Sequence, residues 1–165
     1  MTLELTIISG GQTGVDRAAL DFAIAHGIPH GGWCSLGRRA EDGVLDARYE
    51  LCETETTNYR QRTRRNVEDS DATLILNVGE LADGSLTMRQ FAERASKPVH
   101  VVALDPDGLA EEFARVREWL AAHAVTVLNV AGPRESKHPG VYRKALEFLE
   151  MLLSFPSTGL DSGNT

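Results

Sequence analysis

Glycine-rich segments that follow predicted strands contain the residue types best suited to holding an anion. One is Gly10–Gly14, with the pattern G-G-x-x-G, and another is Gly84–Thr87, directly before a predicted helix. Glycine lets a ligand approach the backbone, and the free N–H groups at the start of a helix attract a phosphate. Both segments also fit ordinary turns, with Thr13 or Asp16 as the helix cap in the first and a serine or threonine cap in the second, so that alternative stays open. The candidate phosphate-binding residues here are Gly10, Gly11, Gln12, Thr13, Gly14, Gly84, Ser85 and Thr87.

Side chains elsewhere in the sequence could complete the anion site. A guanidinium offers bidentate donors to a phosphate, which makes Arg38, Arg39 and Arg134 candidates. Ser136 adds a hydroxyl close to Arg134, and Trp33 could stack on a planar ring. The alternatives are that these arginines are solvated surface charges and that Trp33 belongs to the core.

Metal and triad chemistries have less support. His30 and Cys34 lie close in sequence, but they belong to a strand and a loop, and no cysteine–histidine cluster completes a zinc set. We therefore predict no metal site. Glu135, Ser136 and His138 are neighbours in sequence, but geometry and not proximity along the chain defines a catalytic triad.

Composition bounds the class of protein. The chain of 165 residues is 42% hydrophobic and 25% charged, which predicts a globular domain. We expect a single domain over residues 1–153 and a flexible tail over 154–165. The net charge of −7 disfavours binding to duplex nucleic acid. No apolar run approaches the roughly 20 residues of a bilayer span, and two cysteines are too few for a disulfide framework. We therefore expect a cytoplasmic protein with no membrane partner.

Strand and helix patterns alternate along the chain, and this alternation positions the glycine-rich loops. Strands are predicted over 3–9, 28–34, 71–77, 99–104 and 126–130, with short ones near Val44 and Leu51. Helices are predicted from about Val15 to Gly27 and over 58–68, 86–96, 109–122 and 139–153. The pattern predicts an α/β fold, Rossmann-like and doubly wound, with a mostly parallel sheet and helices on both faces. The loops would then share one rim, where such folds bind ligands.

Four segments together carry a resemblance to a known family: GGQTGVDRAALDFAI, GGWCSLGRRAEDG, RTRRNVEDSDATLIL and VLNVAGPRESKHPGVY. Over residues 5 to 150 the chain resembles the molybdenum carrier family, also called molybdenum cofactor carrier proteins. That family belongs with a Rossmann-like group that includes the Lonely Guy phosphoribohydrolases and DNA-processing protein A. The resemblance implies binding of molybdenum cofactor, a pterin with one phosphate and a dithiolene-held metal, as cargo. It also implies a homo-oligomer and molybdoenzymes as candidate recipients.

Two classes of function follow from the resemblance. One is a carrier that holds molybdenum cofactor without turnover. The other is a nucleotide-acting hydrolase, an N-glycosidase or phosphohydrolase, with Asp16, Glu41 or Asp42 as its acid or base. Lonely Guy enzymes resemble the pattern P-G-G-x-G-T-x-x-E, in which the final glutamate serves catalysis. When the pattern is aligned with Asp83 to Gln90, the amide Gln90 stands at the position of that glutamate. An amide cannot exchange a proton as a carboxylic acid does, so the carrier is the favoured prediction.

Overall fold

Five parallel strands form the central sheet of the structure, a computed structural model that describes residues 4–105 and 107–154. The strands in chain order are β1 (Thr6–Ile8), β2 (His30–Gly31), β3 (Trp33–Cys34), β4 (Arg39–Ala40), β5 (Gly43–Val44), β6 (Cys52–Glu53), β7 (Ala72–Asn77), β8 (Val99–Ala103) and β9 (Val127–Ala131). The central sheet has the order β2-β1-β9-β7-β8. All of its neighbouring pairs are parallel, so the predicted parallel sheet is confirmed.

Helices cover both faces of this sheet. They are α1 (Val15–Ala25), α2 (Tyr59–Glu68), α3 (Asp83–Arg94), α4 (Leu109–Ala122) and α5 (Val141–Ser154). Side chains alternate between the faces of a strand, and β7 shows it: Leu74 and Leu76 pack with α1, α4 and α5, whereas Ile75 packs with α2 and α3. A strand that is buried on both faces has a continuous apolar sequence, and this is why β7 could be predicted from the sequence. The predicted doubly wound α/β fold is confirmed.

The segment between β2 and α2 forms a layer of its own on the outside of α1. Here β3 pairs with β6 in parallel, and β4 and β5 form a short antiparallel hairpin. Leu45, Tyr49 and Leu51 bury themselves against Leu20 and Cys34 in a small separate core. This layer brings residues 39–44 over the loop that follows β1, a placement that the irregular sequence pattern does not predict.

Several predicted boundaries differ from the structure. The strand predicted over 28–34 is two strands, which are separated by Gly32 with its φ of 125°. The side chain of Asn66 bonds both backbone groups of Trp33 in the second strand. Its Oδ1 accepts from the Trp33 N–H at 2.8 Å, and its Nδ2 donates to the Trp33 carbonyl at 3.1 Å. Helix α3 begins at Asp83, so Gly84 and Ser85 lie in its first turn and not in a preceding loop. The predicted tail falls almost entirely on residues 155–165, outside the described part of the chain.

Within the described residues, no helix has both the length and the apolar character required to span a bilayer.

Candidate functional site

A cavity of about 370 Å³ opens at the carboxyl ends of β1, β7 and β9. Strand β9 lies between β1 and β7, and helices α1 and α3 leave the neighbouring strands toward opposite faces of the sheet. Their divergence leaves a crevice, which is the usual ligand position in open α/β sheets. Five residues predicted from the sequence line it: Gly10, Gln12, Gly84, Ser85 and Arg134.

Two loops pack tightly at one wall of the cavity, and this close contact requires a glycine at position 14. The loop after β1 meets the loop after β9, where the Val15 N–H donates to the Pro133 carbonyl at 3.2 Å. Gly14 has φ of 79°, and a Cβ added there would lie 2.3 Å from the Pro133 oxygen. The glycine therefore serves a backbone contact that brings Gln12 and Arg134 to the same rim.

Arg62 is a cavity residue that the predicted site did not include. It lies on α2 with Tyr59, Thr63 and Asn66, and all four line the cavity. Their spacing of i, i+3, i+4 and i+7 marks one face of a helix, so the signal was present in the sequence. Within residues 4–105 and 107–154, no acceptor lies within hydrogen-bond reach of the Arg62 guanidinium, although the charge of Asp16 is near enough to interact with it. The cavity thus has a cation available to a ligand.

Asp16 is the buried acid of the cavity. It begins the first turn of α1, is 8% exposed, and accepts from the Gln12 N–H at 3.3 Å. Burial raises the pKa of its carboxyl from 3.8 to about 6, and the nearby Arg62 charge offsets only part of that rise. A group that titrates near neutral pH inside a cleft can exchange protons with a ligand.

The raised pKa predicts that Asp16 makes folding stability depend on pH. Its folded-state pKa of about 6 exceeds the ordinary value of 3.8, so its contribution is fully present below about pH 4 and is lost as pH rises through about 6. The expected loss is about 2–3 kcal/mol. We expect Asp16→Asn to gain that much over the native chain between pH 4 and pH 7.5, measured by urea unfolding. A difference between the two chains that is constant with pH would contradict this.

Three predicted anion-binding residues converge beside the cavity on the protein's own Glu41. The Ser136 hydroxyl donates to its Oε2 at 2.6 Å and the Ser136 N–H to its Oε1 at 3.1 Å. The Thr13 hydroxyl also donates to Oε1, and Arg134 Nε lies 3.7 Å from Oε2. Burial opposes ionisation of Glu41, but the hydrogen bonds from Ser136 and Thr13 outweigh it and hold its pKa below the ordinary value.

The other predicted residues lie away from the cavity lining. The Arg38 guanidinium donates to three backbone carbonyls, those of Leu51, Asp46 and Tyr49, and so holds its own loop together. The Trp33 indole donates to Asp69 at 2.7 Å and stacks under Arg65. The remaining three are Gly11, which is packed against leucine side chains, Arg39, which is exposed on the hairpin, and Thr87, which is buried inside α3.

Gln90, which stands at the acid position of the Lonely Guy pattern, is exposed on α3 and does not line the cavity. Its amide therefore bears little on catalysis in this cavity, where Asp16 is the buried carboxyl. Within the described parts of the chain, no three histidine, cysteine or acidic side chains are grouped to hold a metal ion.

The comparisons with known proteins agree with this architecture. Residues 7–153 match the model of the "Circularly permutated YpsA SLOG family". The chain belongs to this family. It is also 45% identical to a protein from Syntrophus aciditrophicus SB whose crystal structure is described as that of a "Putative molybdenum carrier protein", with a TM-score of 0.89. The match covers 92% of this chain and 96% of the other. No curated protein matches the chain.

The family match and the similarity to the Syntrophus protein together confirm the family resemblance read from the sequence segments. The family match covers nearly the whole described chain, including the loops after β1, β7 and β9 that form the cavity. The residues that line the cavity therefore all lie within the matched range.

Proposed function

We propose that the cavity binds molybdenum cofactor, a phosphorylated pterin, and that the protein carries or stores it as cargo without turnover. The observation that carries the proposal is Arg62, whose guanidinium faces the cavity with no acceptor at hydrogen-bond distance among the described residues. A phosphate supplies the acceptor oxygens that such a fork of donors needs. The volume of about 370 Å³ suits a small ligand.

The first turn of α3 adds neutral donors to the same cavity. Gly84 and Ser85 line it close to the start of that helix, where backbone N–H groups lack helical acceptors. The other cations of the lining are partly engaged: Lys137 pairs with Asp83, and Arg134 lies beside Glu41. Arg62 is therefore expected to carry most of the charge recognition.

The name of the Syntrophus protein supports a cargo that contains molybdenum. That protein is described as a "Putative molybdenum carrier protein", and the two folds agree over nearly their full lengths. The homo-oligomer, the molybdoenzyme recipients and the cytoplasmic location that the sequence suggested stay predictions.

A nucleotide-acting hydrolase is the second candidate, and Asp16 is the observation that favours it. A buried carboxyl with a pKa of about 6 in a cavity beside an arginine has the protonation behaviour of a general acid or base. The same features also suit ground-state binding of a ligand that donates hydrogen bonds to Asp16. Catalysis requires in addition that the transition state be bound better than the substrate.

One experiment separates the two candidates. The purified protein is incubated with nucleoside monophosphates, and free base is measured by chromatography; in parallel, it is loaded with molybdenum cofactor under anaerobic conditions, and the retained pterin is measured by fluorescence. The carrier proposal expects retained pterin and no base release. Base release by the native chain that Asp16→Asn abolishes would establish the hydrolase instead. Absence of cofactor binding at micromolar protein would overturn the carrier.

A further inference from the structure

The hairpin of β4 and β5 carries Glu41 into a group of converging donors. Each carboxylate oxygen has two partners: Oε1 has the Thr13 hydroxyl and the Ser136 N–H, and Oε2 has the Ser136 hydroxyl and Arg134. The Thr13 hydroxyl accepts from the Glu135 N–H at 3.2 Å, so its own proton is directed to Glu41. A hydroxyl pair, a backbone N–H and a guanidinium are donors that also bind phosphate.

The hairpin that delivers Glu41 is attached to the body of the protein mainly through polar contacts. Both of its strands have two residues, and both residues of β5 are exposed. The Glu41 N–H donates to Gln12 Oε1 at 2.9 Å, and Asp42 pairs with Arg17 at 2.9 Å. Its apolar contribution is Ala40, which is only partly buried against the small core. The Asp42 side chain is 51% exposed, and the hairpin buries little apolar area, so lifting it exposes little apolar surface.

A phosphate would satisfy the same donors better than the carboxylate does. It carries three terminal oxygens and a charge of about −1.5 to −2 when esterified, against two oxygens and one charge for Glu41. Arg134, which is 3.7 Å from Glu41 and so not fully engaged, would gain an acceptor at closer range. Arg134 also lines the main cavity, so the donor group is continuous with it.

We propose that Thr13, Ser136 and Arg134 form an anion site that Glu41 occupies in the free protein, and that a phosphate group enters it by displacing Glu41 and the hairpin. The site lies beside the main cavity, on the side of the wider cleft lined by Thr13, Glu41 and Ser136. Glu41 is an internal competitor that sets the apparent affinity for phosphate. The proposal does not depend on the identity of the ligand in the main cavity.

The test measures binding of inorganic phosphate by equilibrium dialysis. Because phosphate can also bind near Arg62, all chains carry Arg62→Ala as a common background. On that background Glu41→Ala is expected to lower the Kd for phosphate at least about tenfold, since the fraction of sites open to ligand rises. The matched control is Glu50→Ala, which removes the same charge from an exposed side chain of the same segment and is expected to leave the Kd unchanged.

Adding Ser136→Ala or Arg134→Ala to the Glu41 variant is expected to cancel the gain, because the donors are then missing. An equal Kd in the Glu41 and Glu50 variants would overturn the proposal, and so would a gain that survives loss of both Ser136 and Arg134. Because the probe is inorganic phosphate, a failure of the molybdenum cofactor proposal leaves this result unaffected.

Discussion

Arg62→Ala is expected to lower the affinity for molybdenum cofactor roughly ten- to a hundredfold while leaving the fold intact. The guanidinium lines the cavity and has no acceptor at hydrogen-bond distance in residues 4–105 and 107–154, so a ligand phosphate would be its main partner. Loss of a hydrogen bond to a charged group costs about 1.5–3 kcal/mol. That free energy corresponds to the stated change in Kd.

The matched control for this experiment is Arg64→Ala on the same helix. The Arg64 side chain is 57% exposed and pairs with Glu68 one turn away, at 3.5 Å, so its loss removes the same charge without touching the cavity. Cofactor retention is measured by pterin fluorescence after anaerobic gel filtration, and thermal unfolding monitors the fold. Equal retention by the two variants would show that Arg62 does not hold the ligand.

Gly14→Ala is expected to lower the stability of the fold more than Gly79→Ala or Gly84→Ala does. Its φ of 79° is a conformation that costs a residue with a Cβ about 1–3 kcal/mol. The added Cβ would also lie 2.3 Å from the Pro133 oxygen and 2.8 Å from the Glu135 nitrogen, which are backbone atoms that can retreat only by separating the two loops. Overpacking of this kind costs about a further 1–3 kcal/mol.

Substitutions at two other glycines distinguish the cost of backbone strain from the cost of the steric clash. Gly79 also has a positive φ, of 70°, but nothing lies within 4 Å of an added Cβ, so Gly79→Ala reports strain alone. Gly84 has neither a positive φ nor a close neighbour, so Gly84→Ala is expected to leave stability almost unchanged. Thermal unfolding of the three variants should rank Gly14 far below Gly79 and Gly79 below Gly84. A Gly14 variant as stable as the Gly79 variant would show that the loops accommodate the methyl group.

The sequence determined the architecture of this protein because strand and helix periods are local. The apolar run of β7 and the helical spacing of α5 come from residues that are neighbours along the chain, so the order of elements and the parallel sheet followed from them. The glycine-rich loops were also placed on one rim, since parallel strands end at the same edge of a sheet. The position of Arg62 in the cavity was also predictable, because Arg62 lies on the same helix face as Tyr59 and Asn66.

Only the tertiary structure decided which polar groups meet. Glu41, a candidate acid or base in the sequence, contacts Ser136 across 95 positions. Arg38, a predicted phosphate ligand, donates instead to backbone carbonyls of its own loop. Asp16 shows the same limit: its place at a helix start suggested a cap, but its raised pKa comes from burial under distant elements. Hydrogen bonds between loops depend on how far each connection reaches and which face it crosses. Neither quantity is encoded in a local pattern of apolar and polar residues.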